Sequence, residues 1–384
     1  MNSGDLHAVV ADTVFDGTNR HERAGVLIEG SRVSRILPRG DIPRNLSVRV
    51  LPEGIWLAPG FIDLQANGGG DVLFNDAPTP EAISRIAAAH RGFGTTGFLP
   101  TLITDTPEKM HAANAAVQSA MRTEPMVLGL HLEGPFLSPE RAGVHDCSLF
   151  RQPTSDDVEM LTSARAGALL LTLAPEQVPA GFIKQLTNAG VCVSLGHSNA
   201  TYAQARAAIG EGLTGFTHLF NAMRPLASRE PGPIAAALET PECSYGLIVD
   251  GIHVDAAMLR LALRGVGRPM LVTDAMPPVG GTRSEFTLYG EKIAVQDGRC
   301  VRQDGTLAGA ALDMASAVRN CVRMLGVPLE RALRFASSHP AAFVNLATQV
   351  GTLAPGLRAD MVAFDPETIE VLDTWVAGAS QHAA

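Results

Sequence analysis

From Trp56 onward, short runs of β-branched and other apolar residues alternate with longer stretches in which alanine and leucine recur every three or four positions. Eight apolar runs can be counted: 57–65 (LAPGFIDLQ), 95–102 (TTGFLPTL), 126–133 (MVLGLHLE), 168–174 (ALLLTLA), 191–197 (VCVSLGH), 214–218 (TGFTH), 245–250 (YGLIVD) and 270–274 (MLVTD). Segments of helical period separate most of them, such as 81–93 (EAISRIAAAHRGF) and 256–266 (AAMLRLALRGV). Apolar strands alternating with amphipathic helices predict a parallel α/β sheet. Eight such units over roughly 250 residues predict a (β/α)8 TIM barrel. A doubly wound open sheet is the alternative, but it usually has fewer strands and a glycine-rich phosphate loop after the first. NGGGD at 67–71 lacks that spacing and reads as a flexible loop.

The clearest unit is 196–223 (GHSNATYAQARAAIGEGLTGFTHLFNAM). His197 and His218 each close an apolar run, and an alanine-rich segment lies between them. Ser198 or Asn199 is placed to cap that helix, and Gly210 or Gly212 to end it. The unit is strand–helix–strand with a histidine at the carboxyl end of each strand. That edge of a parallel barrel is where ligands bind.

The two ends of the chain have a different pattern. Residues 8–15, 25–29, 32–37 and 46–50 are short β-prone runs broken by turn formers, which predicts a small antiparallel sheet. After the eighth strand come further short strands at 285–290, 291–296 and 299–303, then helical stretches at 313–326 and 329–345. The tail returns to β at 351–366 and 369–378. The simplest arrangement pairs this tail with the first strands. Residues 1–55 and 350–384 would then form a small β-sandwich domain, with the barrel at 56–349 inserted.

Composition narrows the function classes. Of 384 residues, 46% are apolar, and the net charge is −9 with no basic cluster, which argues against a nucleic-acid partner. No apolar run reaches membrane-spanning length, and residues 1–16 lack the basic start and apolar core of a signal peptide. Five scattered cysteines (147, 192, 243, 300, 321) fit reduced, mostly buried thiols and a cytoplasmic location.

Polar residues collect at the strand ends: Gln65 and Asn67 on the first, Glu133 on the third, His197 on the fifth, and His218 on the sixth. Asp250 and then His253 follow the seventh, and Asp274 closes the eighth. Two imidazoles and a carboxylate suit a divalent first-row ion and leave a position open for water. Asp274 stands where a base would take that water's proton. His131, two residues before Glu133, shares its face of the strand but lies deeper, as core or as support for a ligand. His7, His21, His90, His111, His339 and His382 read as surface, turn or hydrogen-bonded residues. His145 and Arg229 sit in the loops after strands three and six. Arg229, near a helix starting around Pro233, fits a phosphate or carboxylate site, and fits a solvated loop arginine equally well.

The segments LAPGFIDLQANGG, HLEGPFL, LGHSNATY, THLFNAM, DGIHVD and LVTDA, with TLAGAALDM at 306–314 and the GTLAPGLRADMVAFD tail, resemble the N-acetylglucosamine-6-phosphate deacetylases of the amidohydrolase superfamily. HLEGPF, GHSNAT and THLFNAM at these separations carry the resemblance, which covers nearly the whole chain from about residue 56. It implies a barrel with a small β domain, a cytoplasmic homodimer, and hydrolysis of a phosphorylated amino sugar to the amine and acetate. Glu133, His197 and His218 would hold the metal, with Asp274 as base and then acid. His145 would polarise the acetyl carbonyl. Asn221, the Ala222 backbone, Arg229 and His253 would bind the sugar phosphate, joined by a basic residue from the neighbouring subunit. Val144 and Asp250 belong to the same substrate-binding set, and Leu307, Ala308 and Gly309 would flank the sugar or acetyl group.

One departure stands out. Gln65 and Asn67 occupy the positions where many amidohydrolases carry His-x-His for a second metal. Amides are poor ligands beside imidazole, so one ion per subunit is expected, Zn²⁺ first, with Fe, Co or Mn as alternatives. Two other readings remain: a mononuclear amidohydrolase for a different N-acyl substrate, and a non-catalytic relative that kept the barrel for binding.

Overall fold

The computed structural model describes residues 6–382. The signal-peptide reading and the ends of the small β domain therefore fall partly outside the described residues. Eight parallel strands form one sheet: β1 (Phe61–Ala66), β2 (Thr95–Ile103), β3 (Gly129–Glu133), β4 (Ala168–Leu173), β5 (Cys192–Leu195), β6 (Gly215–Phe216), β7 (Ser244–Leu247) and β8 (Arg268–Leu271). Each hydrogen-bonds to its neighbour in sequence order. The expected (β/α)8 barrel is therefore the observed fold. Helices lie between most of the strands, and their apolar faces meet the sheet: Ile83, Phe98, Val117, Leu132, Leu171 and Leu247 are buried in one core cluster.

The seam between β8 and β1 is closed just beyond the strands. Ala66 bridges Ala275, and the N–H groups of Asn67 and Gly68 both donate to the Ala275 carbonyl at 2.9 Å. Beneath this bridge the Asp63 carboxyl accepts the N–H of Gln65 at 3.1 Å, the N–H of Thr273 at 3.3 Å, and the Thr273 hydroxyl. Asp63 is fully buried. It thus ties the residue before Asp274 to the strand that carries Gln65.

The expected first strand, 57–65, is divided. Trp56–Pro59 pairs with Leu6–Phe15 and Met361–Phe364 in the terminal sheet, and β1 begins only at Phe61. Gly60 is the hinge between them: a Cβ there would lie 2.1 Å from Thr96, so only glycine allows the chain to cross from one sheet to the other. The terminal sheet has eight strands from both ends of the chain. It is mixed rather than antiparallel, because Ser47–Val50 and Trp56–Pro59 run parallel to Leu6–Phe15. Val9, Val26, Leu57, Met361 and Trp375 form its core.

Other boundaries moved for local reasons. Thr201, not Ser198 or Asn199, caps helix Tyr202–Gly210, in a capping box with Gln204. Ser198 and the Asn199 N–H are instead held by Glu176. The stretch 329–345 is two helices, Leu329–Phe335 and Ser338–Phe343, broken at Ser337 ahead of Pro340. NGGGD is not a free loop, since Gly68–Gly69 pairs with Val72–Leu73 and the Gly68 carbonyl accepts from His90.

The excursion after β8 is a four-stranded antiparallel meander: Glu285–Leu288, Glu291–Gln296, Arg299–Val301 and Leu307–Ala310. Its last strand is fastened to the barrel mouth, where Ala310 N–H donates to the Asp274 carbonyl at 2.9 Å. Among the described residues no helix is long and apolar enough to cross a membrane, and the five cysteines are unpaired, four of them buried.

The seam gives a stability prediction. Asp63→Ala leaves the buried N–H groups of Thr273 and Gln65 without this acceptor and the Thr273 hydroxyl with only the Gln65 carbonyl at 3.3 Å. It should lower the unfolding free energy by about 2–4 kcal/mol, read from the chemical-denaturation midpoint.

Candidate metal centre and active site

Glu133, His197 and His218, from the ends of β3, β5 and β6, converge at the barrel mouth. Glu133 Oε1 lies 3.1 Å from His197 Nε2 and 3.0 Å from His218 Nε2, and the two Nε2 atoms are 3.1 Å apart. All three side chains are buried. His197 Nδ1–H donates to the Arg141 carbonyl at 2.9 Å, so in the neutral ring Nε2 presents a lone pair to the centre. The Glu133 oxygen facing the His197 lone pair at this distance is repelled unless a proton or a cation lies between them. The donor set of two nitrogens and one oxygen fits a divalent first-row cation. His218 Nδ1, on the far side of its ring, is buried and has no hydrogen-bond partner among the described residues.

The backbone at these positions is turned out of the strand conformation. His197, His218 and Asp274 have φ of +47°, +30° and +51°. Non-glycine residues in this region cost of order 1–3 kcal/mol each and persist only where the surroundings hold them. For His197 the hold includes Arg141 and the Ser138 N–H, which donates to its carbonyl at 2.9 Å.

Asp274 faces the triad. Its Oδ1 accepts from Asn67 Nδ2 at 2.7 Å and Gln65 Nε2 at 3.1 Å, and the same Gln65 nitrogen donates to Glu133 Oε2 at 3.2 Å. The two amides thus supply N–H groups to carboxylates at the positions where a second metal would need ligands. Burial, together with the nearby Glu133 carboxylate, pushes Asp274 up to about 6. Burial opposes ionisation of Glu133 too, but the neighbouring His197 and His218 rings hold it well below the usual carboxylate range.

His145 packs on His197 with ring centroids 4.3 Å apart. Its Nδ1 meets Thr104, 2.8 Å from the hydroxyl and 3.4 Å from the backbone N–H. Burial, with His197 next, keeps its pKa well below the ordinary histidine value, so the ring is neutral. His131 is not part of the centre: both ring nitrogens are taken, Nδ1 by Thr101 at 3.1 Å and Nε2 by Thr172 at 2.8 Å.

These groups line one cavity of about 240 Å³, together with Val144, Asn221, Ala222, His253, Leu307 and Gly309. Four expected site residues do not line it. Gln65 and Ala308 are buried behind the wall. Asp250 instead holds His253: it accepts Nδ1–H at 2.6 Å, leaving the other ring nitrogen for the cavity. Arg229 is exposed on the loop before helix Gly232–Glu239. Sequence reasoning missed Thr104, Ile103, Met276 and Thr306. Ile103, Met276 and Thr306 line the cavity, and Thr104 stands behind His145. Thr104 is an uncharged residue between the end of β2 and Asp105, and its residue type alone did not mark it.

The Amidohydrolase family matches residues 56–382. The chain is 43% identical to the N-acetylgalactosamine-6-phosphate deacetylase of Shewanella sp. (strain ANA-3), over 84% of this chain and 82% of that protein. It is 34% identical to the N-acetylglucosamine-6-phosphate deacetylase of Haemophilus influenzae, over 92% and 93%. Among solved structures, the N-acetylglucosamine-6-phosphate deacetylase of Pasteurella multocida superposes with a TM-score of 0.94 at 35% identity, covering 98% of this chain and 99% of that one. A mutant of the Mycobacterium smegmatis enzyme in complex with N-acetyl-D-glucosamine-6-phosphate superposes at 0.89 with 34% identity, covering 98% and 99%. Matched over most of its length in sequence and in fold, the chain belongs to the amidohydrolase family.

Proposed function

We propose that this protein hydrolyses N-acetyl-D-glucosamine 6-phosphate to D-glucosamine 6-phosphate and acetate. The observation that carries the reading is the single cavity onto which a buried Glu133–His197–His218 set, an isolated carboxyl and a neutral imidazole all open. The relatives' names supply the substrate class.

Glu133, His197 and His218 would hold one cation per subunit, which would supply Lewis acidity and bring the pKa of a water toward about 7. Zn²⁺ is the first choice for this donor set. Asp274 accepts a proton from the attacking water as that oxygen adds to the acetyl carbon. The C–N bond then breaks, and Asp274 passes the proton to the departing nitrogen, giving the free amine and acetate. Gln65 and Asn67 orient the carboxyl for both transfers. His145 donates from Nε2 to the acetyl oxygen, where negative charge builds as the carbon becomes tetrahedral. His253, Asn221 and the Ala222 backbone form the phosphate end. Arg229 completes it from its loop, joined in a homodimer by a basic residue of the neighbouring subunit. Val144, Leu307 and Gly309 wall the sugar. The small β domain, built from both ends of the chain and taking in Trp56–Pro59, serves as the platform for the barrel that begins at Phe61.

The 43% identity to an N-acetylgalactosamine-6-phosphate deacetylase favours a second reading, the galacto epimer as substrate. Acetate release from the two epimeric phosphates and from unphosphorylated N-acetylglucosamine, on one preparation, separates the cases. Release from the gluco phosphate, with the unphosphorylated sugar far poorer, is expected. Faster release from the galacto phosphate would move the assignment.

Asp274→Asn should lower kcat by at least about 10²–10⁴-fold while the metal content is retained, because an amide cannot accept the proton. An active Asp274→Asn variant would contradict the mechanism. His218→Ala should reduce bound metal, counted by atomic emission, to a small fraction of the wild-type value. Arg229→Ala should raise KM for the phosphorylated sugar and leave turnover of the unphosphorylated one unchanged.

A further inference from the structure

We infer that Thr104, at the end of β2, is a positioning residue that sets the tautomer of His145, and that Tyr289 of the meander holds Thr104 in place. The inference rests on the proposed role of His145 as donor to the acetyl oxygen, and extends it to residues that touch neither substrate nor metal.

His145 serves as that donor only if Nε2 carries its single proton. A neutral imidazole has one N–H, and what faces the other nitrogen decides where it sits. Nδ1 of His145 faces Thr104 alone. The Thr104 backbone N–H points at it from 3.4 Å. That hydrogen cannot rotate away, so a proton on Nδ1 would confront it. The Thr104 hydroxyl, 2.8 Å from Nδ1, has a second acceptor in the Glu133 carbonyl at 3.2 Å. The backbone N–H tips that choice toward donation to Nδ1. With two donors on Nδ1, the proton belongs on Nε2, which makes no hydrogen bond to the described residues while the ring lines the cavity. An Nδ1 that accepts these donors carries no proton, so the ring has one N–H and the selection concerns tautomers.

Thr104 is itself fixed on two sides. Its residue is 1% exposed, and the hydroxyl rests against Gly134, where a Cβ would come within 2.2 Å of it. On its far side the Thr104 carbonyl accepts the phenol hydroxyl of Tyr289. Tyr289 sits at the turn between strands Glu285–Leu288 and Glu291–Gln296, with φ of +51°. Burial, reinforced by Asp105, Glu133 and Asp146, raises its pKa, so the phenol stays protonated and donates. The meander that supplies the sugar wall at Leu307 and Gly309 therefore also reaches the support of His145.

The test uses the Zn²⁺-loaded enzyme with ¹⁵N-labelled histidine. In the wild type, His145 should show a pyrrole-like Nε2 and a pyridine-like Nδ1. Thr104→Val should lower kcat by about tenfold with KM changed little, as one directing hydrogen bond is lost, and the His145 signals should shift toward the other tautomer. Thr104→Ser restores the donor and should return kcat to within about threefold of wild type; Tyr289→Phe should give a smaller loss of about two- to fivefold. Metal content should stay equal throughout. A pyrrole-like Nδ1 in the wild type overturns the inference even if Thr104→Val does not fold, as does wild-type kcat in a folded Thr104→Val. His145→Asn separates the two levels. If it is inactive while Thr104→Val is normal, only the positioning role falls. If it is fully active, the proposed role of His145 falls and the inference with it.

Discussion

A carboxylate oxygen held within about 3 Å of two imidazole nitrogens is repulsive unless positive charge lies between them. That constraint organises the barrel mouth. Glu133, His197 and His218 come from three strands, and each histidine backbone is turned into the left-handed region to bring its ring inward. The cost is borne because the surrounding loops are tied down: Arg141 and Ser138 on His197, Glu176 on the segment that follows it. A cation at the centre relieves the repulsion and rewards the strain.

The rest of the site follows from what stands around that charge. Asp274 is buried near Glu133, and two carboxylates so placed resist joint ionisation. The amides of Gln65 and Asn67 meet this with N–H groups aimed at the carboxylates. Their positions depend on the β1–β8 seam, where Asp63 and the Ala275 carbonyl gather the two strands. On the opposite side His145 is neutral and donor-equipped. His145, Asp274 and the Glu133–His197–His218 set thus face one cavity, where the proposed reaction uses them as electrophile, base and cation ligands.

Periodicity made the barrel legible. All eight strands follow from apolar runs, and Glu133, His197, His218 and Asp274 stand at or just beyond strand ends where a residue-by-residue reading finds them. What escaped depends on contacts distant in sequence. The split at Gly60 is dictated by Thr96, and the parallel pairing of Ser47–Val50 by how the chain returns across the terminal sheet. Thr104 and Tyr289 carry no motif, and their role exists only where β2 and the meander meet. Asp250 reads as one more strand-end carboxylate, yet it faces His253 rather than the cavity. Arg229 shows the opposite limit: its loop is legible, but a single chain leaves it exposed.

The most direct measurement is a metal titration of the stripped enzyme, following acetate release from N-acetyl-D-glucosamine 6-phosphate against equivalents of Zn²⁺ added. A site of three ligands, with amides at Gln65 and Asn67, predicts no activity without metal and a linear rise that breaks at about one equivalent per chain. A break at two equivalents would mean that those amides do not exclude a second ion. Undiminished activity in the stripped protein would contradict the central role given to Glu133, His197 and His218.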